Sequence, residues 1–293
     1  MSNQDPRTKY HQDGFNKQKQ PYPGVQREMD FVPDCGEDSY KGSGKLSGQK
    51  ALISGGDSGI GRAAAIAYAR EGADVAITYL EDEEKDAQEV KQLIEDAGQK
   101  AVLIPGDLRD ENFAKHVVKE AVAQLGGLDT LVLNAGLQQW EPELQDYDLK
   151  HLTDTFSVNV FAQVFMLQEA EKHMKPGGSI ILTTSVQAFD PTDLLMDYAM
   201  TKTAQVSLIK SLTPGFAEKG LRINGVAPGP IWTALQISGG QPQEKIEEFG
   251  QNSPLGRAGQ PAELAGVYVL LASEDASYIT GEVYAITGGS PIV

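Results

Sequence analysis

An α/β fold, with one doubly wound parallel sheet and helices on both of its faces, is what the sequence predicts. Two observations carry this. From Lys50 onward, short apolar runs alternate with longer amphipathic stretches, the pattern of β and α units that builds a parallel sheet. The first apolar run also leads straight into a glycine-rich turn and then a helical pattern, the local order of a nucleotide-binding unit of Rossmann type.

The elements follow in order. Residues 51–53 (Ala-Leu-Ile) read as the first strand, and 62–70 as a helix with a small-residue face of Ala63, Ala64, Ile66 and Ala67. Residues 75–77 read as the second strand. The stretch 82–97 reads as a helix that Gly98 stops, since glycine readily takes the left-handed conformation after a last turn. Residues 101–104, 131–133, 179–182, 222–226 and 283–286 read as five further strands, most of them separated by helical patterns. Pro105, Gly126-Gly127, Pro176-Gly177-Gly178 and Gly220 punctuate the units. There is no internal repeat and no sign of a second core, so residues 48–293 read as one domain.

Residues 1–47 differ. They are polar, rich in Gln, Asp, Lys, Pro and Gly, and without periodicity. Two readings stand: a disordered tail, or an arm laid over the domain or a neighbouring subunit, anchored by Tyr22, Phe31 and Val32.

The chain has 293 residues, 40% of them hydrophobic, which is enough for a sizeable core. Its net charge of −16 argues against nucleic acid and anionic membrane surfaces as partners. A small anionic cofactor remains compatible, because a helix N-terminus binds phosphate locally. Cys35 is the single cysteine, so no intrachain disulfide forms. His11, His116, His151 and His173 lack metal-site spacing, and no metal is expected. No apolar run reaches membrane-spanning length and the first residues lack a signal-peptide core, so the expected compartment is the cytoplasm.

The turn Ser54-Gly55-Gly56-Asp57-Ser58-Gly59-Ile60-Gly61 sits where a phosphate cradle belongs. Gly55 permits the tight turn, Gly59 lets backbone approach a pyrophosphate, and Gly61 allows close helix–strand packing. The helix that follows offers free N–H groups and a positive dipole end.

These residues and their order resemble the short-chain dehydrogenase/reductase family over residues 48–290, and the extension looks like that of the glucose/ribitol-type bacterial subgroup. Companion motifs appear in sequence: Asp107-Leu108 after the third strand, Asn134-Ala135-Gly136 after the fourth, Asn159 in a later helix, Ser185, then Tyr198 and Lys202, then Pro228-Gly229 and Ile231 after the sixth strand. The resemblance implies an NAD or NADP oxidoreductase acting on a carbonyl or alcohol. It makes Asn159, Ser185, Tyr198 and Lys202 the catalytic set. It makes the glycine turn with Asp57, Ser58 and Ile60, together with Tyr79, Asp107, Leu108, Asn134, Ala135, Gly136, Tyr198, Lys202, Pro228, Gly229 and Ile231, the cofactor site.

The chemistry is coherent. Tyrosine is a poor base near neutrality unless a cation favours its phenolate. Tyr198 and Lys202 form an i, i+4 pair on one helix face, so Lys202 can supply that cation. Tyr198 would then exchange a proton with the substrate oxygen, which the Ser185 hydroxyl would orient. By resemblance, Lys202 also holds the nicotinamide ribose and Asn159 positions a water.

Cofactor choice is read at the end of the second strand, where an acid favours NAD and an arginine accommodates the NADP phosphate. Tyr79 stands there with Glu81 and Asp82 nearby and no arginine after it, so the expectation leans to NAD. Gln138, Gln187 and Trp232, with Gln139, Trp140 and Phe189, follow strand ends and are the substrate-pocket candidates. Residues 231–254 carry glycines and a short amphipathic piece, as a lid would. The family is usually tetrameric, and 149–174 and 197–218 are suitable interface helices, the second expected to be interrupted at Pro214-Gly215. Two rival readings remain. One is a nicotinamide-binding regulatory or stress protein. The other, a worse fit, is an enoyl reductase, which usually spaces its Tyr and Lys farther apart.

Overall fold

The structure, a computed structural model, describes residues 4–292. Seven parallel strands form its sheet: β1 (Lys50–Ser54), β2 (Asp74–Tyr79), β3 (Ala101–Pro105), β4 (Thr130–Leu133), β5 (Ser179–Thr183), β6 (Arg222–Pro228) and β7 (Val283–Ile286). Their order across the sheet is β3-β2-β1-β4-β5-β6-β7. Chain order reverses between β1 and β4, and the carboxyl ends of strands at such a switch point leave a crevice for a ligand.

Period-2 alternation assigns the faces. Ala51, Ile53, Val132 and Ile181 point into one core layer, and their neighbours Leu52, Leu131, Leu133, Ile180 and Leu182 into the other. The first layer is covered by α1 (Gly59–Arg70), α2 (Glu84–Asp96) and, later in the chain, α8 (Ala262–Ala272). The second is covered by α3 (Glu111–Leu125), by α5 (Ala162–Ala170), which α4 (Leu149–Phe156) precedes, and by α6 (Met196–Glu218). A short α7 (Gln243–Ile246) lies between α6 and α8.

Three expectations change. The stretch from Ala63 to Ala69 is buried all round rather than on one face, because α1 is enclosed by the sheet, α8, α2 and the N-terminal segment. Between α4 and α5 the chain makes a π-turn over Ser157–Phe161, which turns Asn159 inward to full burial. Finally, α6 runs unbroken through Pro214. Proline costs the helix one N–H donor, and burial of Ile209 and Phe216 on either side holds the turns together.

Phe15, Met29 and Phe31 of the N-terminal segment pack near the carboxyl end of the sheet, whereas Gly36 to Leu46 run along α1 to Arg70 and Glu71, beside the start of β2. Phe15 and Met29 form a third apolar cluster with Trp232, Ile237, Ile246 and Phe249. Phe15 stacks on Trp232 with centroids 3.6 Å apart, and Trp232 Nε1–H donates to the Phe31 carbonyl at 2.7 Å. Of the expected anchors, Val32 is exposed, while Tyr22 and Phe31 are partly buried.

The far end of this segment is tied by Glu71. Its carboxylate accepts from the Tyr40 hydroxyl at 2.7 Å, the Ser43 N–H at 2.8 Å and the Lys45 N–H at 2.9 Å. Burial acts to raise its pKa, but these bonds together outweigh it and hold the carboxyl below its ordinary value. Glu71→Gln is therefore expected to lower unfolding free energy by about 1–3 kcal/mol in denaturant titrations. In the wild type this contribution is complete above the unfolded carboxyl pKa of about 4.3 and is lost as pH falls through the lower native value. Acid melts of the two proteins should therefore converge.

Candidate active site

The carboxyl ends of β1, β4 and β5 are tied into one hydrogen-bonded knot. Ser54 Oγ accepts from the Asn134 N–H at 3.0 Å and the Ala135 N–H at 3.1 Å. Asn134 Nδ2 donates to the Gly55 carbonyl at 3.0 Å, and Thr183 Oγ1 donates to Asn134 Oδ1 at 3.1 Å. The Tyr268 hydroxyl, from α8, lies 2.6 Å from Thr183 Oγ1 and closes the knot from below.

Above this knot opens a cleft of about 340 Å³, within the size range of small-molecule sites. Its walls include Gly55, Asp57, Ser58, Gly59 and Ile60 from the glycine turn, Tyr79, Asp107 and Leu108 from the next two strand ends, and Asn134, Ala135 and Gly136. Ser185, Tyr198, Lys202, Pro228, Gly229 and Ile231 line it further along, with Gln138 and Gln187. The sequence candidates thus converge on one continuous groove, with these exceptions. Trp232 does not reach the cleft; its ring is sandwiched under Phe15 in the third apolar cluster. Gln139, Trp140 and Phe189 also stay outside it. Gly61 and Asn159 lie behind the wall, as supports.

The turn geometry requires its glycines. Gly55 and Gly59 have φ of 63° and 51°, in the left-handed region. A Cβ on Gly61 would lie 1.8 Å from the Gly55 carbonyl oxygen and 2.6 Å from Asn134 Nδ2. Asp57 is fully buried, one of its carboxylate oxygens has no partner, and burial pushes its pKa up, which disfavours its charge within the turn.

Tyr198 and Lys202 project from the first turns of α6. Lys202 Nζ donates to the Thr183 carbonyl at 2.7 Å and stands 5.2 Å from the centroid of the Tyr198 ring. Burial lowers the Lys202 pKa to about 7. Burial raises Tyr198 to about 12, against the opposing effect of a hydrogen bond with Ser185. Burial thus works against charge on both groups, keeping the phenol protonated near neutrality and making the ammonium easier to deprotonate. Ser185 begins a short 3-10 turn, where its Oγ accepts from the Gln187 N–H at 3.2 Å.

Asn159 spends its amide on structure. Its Oδ1 accepts from the Leu137 N–H at 2.7 Å, and its Nδ2 donates to the Leu137 carbonyl at 2.9 Å and to Thr201 Oγ1 at 3.0 Å. It thereby fixes the loop after Gly136 against α6. Its own carbonyl accepts from Gln205 Nε2 at 2.8 Å.

At the other end of the cleft, the Tyr79 hydroxyl donates to Glu84 Oε2 at 2.6 Å. Asp107 is paired with Arg109, whose Nε lies 2.8 Å from Asp107 Oδ2. Sequence reasoning missed Thr183, Thr184 and Thr233, and the wall contributed by Tyr22, Pro23 and Gly24. The strand-end position of Thr183 was a usable signal; nothing local marks the other five. Among the described residues no group of His, Cys, Asp and Glu could hold a metal ion, and no helix is long and apolar enough to cross a membrane.

A glycine turn at a switch point, leading into a helix beneath a cleft lined by a buried tyrosine and lysine, is the arrangement of a dinucleotide-binding domain of the doubly wound class. The comparisons narrow this. A family model described as enoyl-(acyl carrier protein) reductase matches residues 55–290. The Escherichia coli uncharacterized oxidoreductase YghA is 58% identical over 97% of each chain. The chloroplastic NADPH-dependent aldehyde reductase 1 of Arabidopsis thaliana is 44% identical, over 94% of this chain and 98% of its own. A short-chain dehydrogenase from Burkholderia cenocepacia, solved in complex with NADP, superposes with a TM-score of 0.78 at 32% identity, over 84% of this chain and 98% of that one. The chain belongs to the short-chain dehydrogenase/reductase family. The lean to NAD finds no support among these relatives.

Gly61→Ala is expected to break the turn. We expect a loss of about 1–3 kcal/mol of stability, read by thermal melting, and no fluorescence enhancement on adding NADPH or NADH.

Proposed function

We propose that the protein reduces the carbonyl of a small polar substrate, an aldehyde or a sugar-like compound, with hydride from NADPH, and catalyses the reverse oxidation at higher pH. The observation that carries this reading is the buried pair of Tyr198 and Lys202 beside Ser185 on the cleft wall. Desolvation keeps Tyr198 protonated near neutrality, which is the state a proton donor to a developing alkoxide must have. Ser185 Oγ is close enough to Tyr198 to share the same substrate oxygen and hold it in line. Lys202, fixed by the Thr183 carbonyl, is placed to bond a ribose hydroxyl and to favour the phenolate after proton transfer. Gly55 to Ile60 would hold the pyrophosphate, through N–H groups at the start of α1 other than that of Gly59, which is given to Gln26. When bound, the nicotinamide supplies the hydride.

Two considerations bear on the form of the cofactor. Glu81, Asp82 and Asp107 crowd the outer recess of the cleft and Arg109 alone opposes them, which by charge favours NAD. NADP in the Burkholderia structure and the NADPH in the name of the Arabidopsis relative favour the phosphorylated form, and we adopt it. Paired turnover with NADPH and NADH tests the choice; a clear preference for NADH would reverse it.

The substrate class rests on the polar side chains of the cleft beside Tyr198, among them the amides of Gln138, Gln187 and Gln236 and the hydroxyl of Thr233. A homotetramer is the proposed assembly, because Leu149, Phe161 and Met200 expose apolar side chains along α4, the π-turn and α6. A monodisperse monomer by light scattering at micromolar concentration would count against it.

Tyr198→Phe is the principal test. Turnover against a panel of aldehydes, sugars and an enoyl thioester should fall by at least about 10²-fold while dinucleotide binding persists. Full activity in this variant, or activity confined to the enoyl thioester, overturns the reading. The wild-type pH profiles should have opposite slopes. Carbonyl reduction needs the protonated tyrosine and falls as pH rises, whereas alcohol oxidation needs the phenolate and rises.

A further inference from the structure

The N-terminal segment crosses the mouth of the cleft and is pinned to both lips. On the glycine-turn side, the Gly59 N–H donates to Gln26 Oε1 at 2.7 Å, and the Gln26 N–H donates to Asp86 Oδ2 on α2 at 2.6 Å. Gln26 is 1% exposed, so this is an internal joint rather than a surface contact. On the opposite side, the Gln20 N–H donates to the Ile237 carbonyl at 3.0 Å. Gly24 passes so close to the same wall that a Cβ would lie 2.7 Å from the Ala234 carbonyl oxygen.

Between the pins stand Tyr22 and Pro23. Both line the main cleft, and both line the recess that continues from it beside Leu80, Asp107 and Arg109. That recess lies past the second and third strand ends, on the side of the glycine turn away from Tyr198 and Lys202. A dinucleotide with its pyrophosphate on the turn and its nicotinamide by Tyr198 would put its adenosine there. A recess lined by the Tyr22 ring and the aliphatic Leu80 and Pro23 suits a flat heteroaromatic base, since stacking on a ring adds to apolar burial. Burial, ahead of the nearby Glu83 carboxylate, pushes the Tyr22 phenol pKa up, so the ring enters the recess uncharged.

We propose that Tyr22, carried by the N-terminal arm, is part of the dinucleotide site and forms the outer wall for the adenine base. The inference rests on the dinucleotide reading above and adds to it a contact from outside the doubly wound domain. It also gives the arm a function: the pins at Gln20, Gly24 and Gln26 hold the ring over the recess.

The test uses the full chain. NADPH and NADH are each titrated by nicotinamide fluorescence against wild type, Tyr22→Ala, Tyr22→Leu, Tyr22→Phe and, as a control on the same arm, Val32→Ala. Ligand-free melting is recorded for each. Tyr22→Ala is expected to weaken the preferred dinucleotide roughly tenfold. Tyr22→Leu, which keeps apolar bulk without a flat ring, should weaken it several-fold even if the alanine variant folds poorly. Tyr22→Phe and Val32→Ala should retain wild-type affinity. Wild-type affinity in folded Tyr22→Ala or Tyr22→Leu overturns the proposal while leaving the dinucleotide reading intact. An equal loss in Val32→Ala also overturns it, since the effect would then come from disturbing the arm in general. If wild-type protein binds neither dinucleotide, the underlying reading falls and the proposal falls with it.

Discussion

The site depends on one polar knot at the reversal point of the sheet. Strand ends are natural places for a ligand, but they are also where backbone groups run out of ladder partners. Here the side chains of Ser54, Asn134 and Thr183 take over that role across three neighbouring strands. Each of them also sets something else. Asn134 fixes the Gly55 carbonyl, against which Gly61 is packed without room for a methyl group. Thr183 presents its carbonyl to Lys202. The glycine turn and the Tyr198–Lys202 pair therefore share one rigid reference, although they lie far apart in sequence.

Burial then does the chemical tuning. Tyr198 and Lys202 are enclosed by α6, β5 and the loop after β4, and Asn159 locks that loop to α6 from behind. Removing water disfavours charge on both groups, so a proton stays on the phenol near neutrality and the lysine gives up its proton more readily than a free amine. The desolvation that strains an isolated lysine is offset in part by a hydrogen bond to the Thr183 backbone carbonyl. Rigidity of the knot is thus a condition for the tuning, because a loose strand end would admit water.

The N-terminal segment extends the same logic to the surface. Its composition has too few apolar residues to fold alone, yet Phe15, Met29 and Leu46 are each buried against the domain. Trp232 is the pivot: its ring takes Phe15 on one face, and its indole N–H satisfies a carbonyl of the arm. A tryptophan that follows a strand end reads from sequence as pocket lining, whereas in the folded chain it is the anchor of the arm.

How much was legible in the sequence differs by the range of the interaction. The seven strands, the glycine turn and the i, i+4 pair of Tyr198 and Lys202 are local features, set by periodicity of two or of 3.6 residues and by glycine's freedom at positive φ, and the sequence by itself determined them. Short-range geometry also made Gly61 readable, since its neighbour in the turn is the group it must approach. Other features were decided only by the tertiary structure. The all-round burial of α1, the inward turn of Asn159, the continuity of α6 through Pro214 and the placing of Tyr22 at the cleft mouth each depend on partners distant in the chain. Those partners compensate local costs, a missing N–H or a buried polar group, that no stretch of sequence shows being met. The arm is the clearest case: two of the joints that hold it, at Gly59 and at Ile237, do not exist until the sheet has brought the two lips of the cleft together.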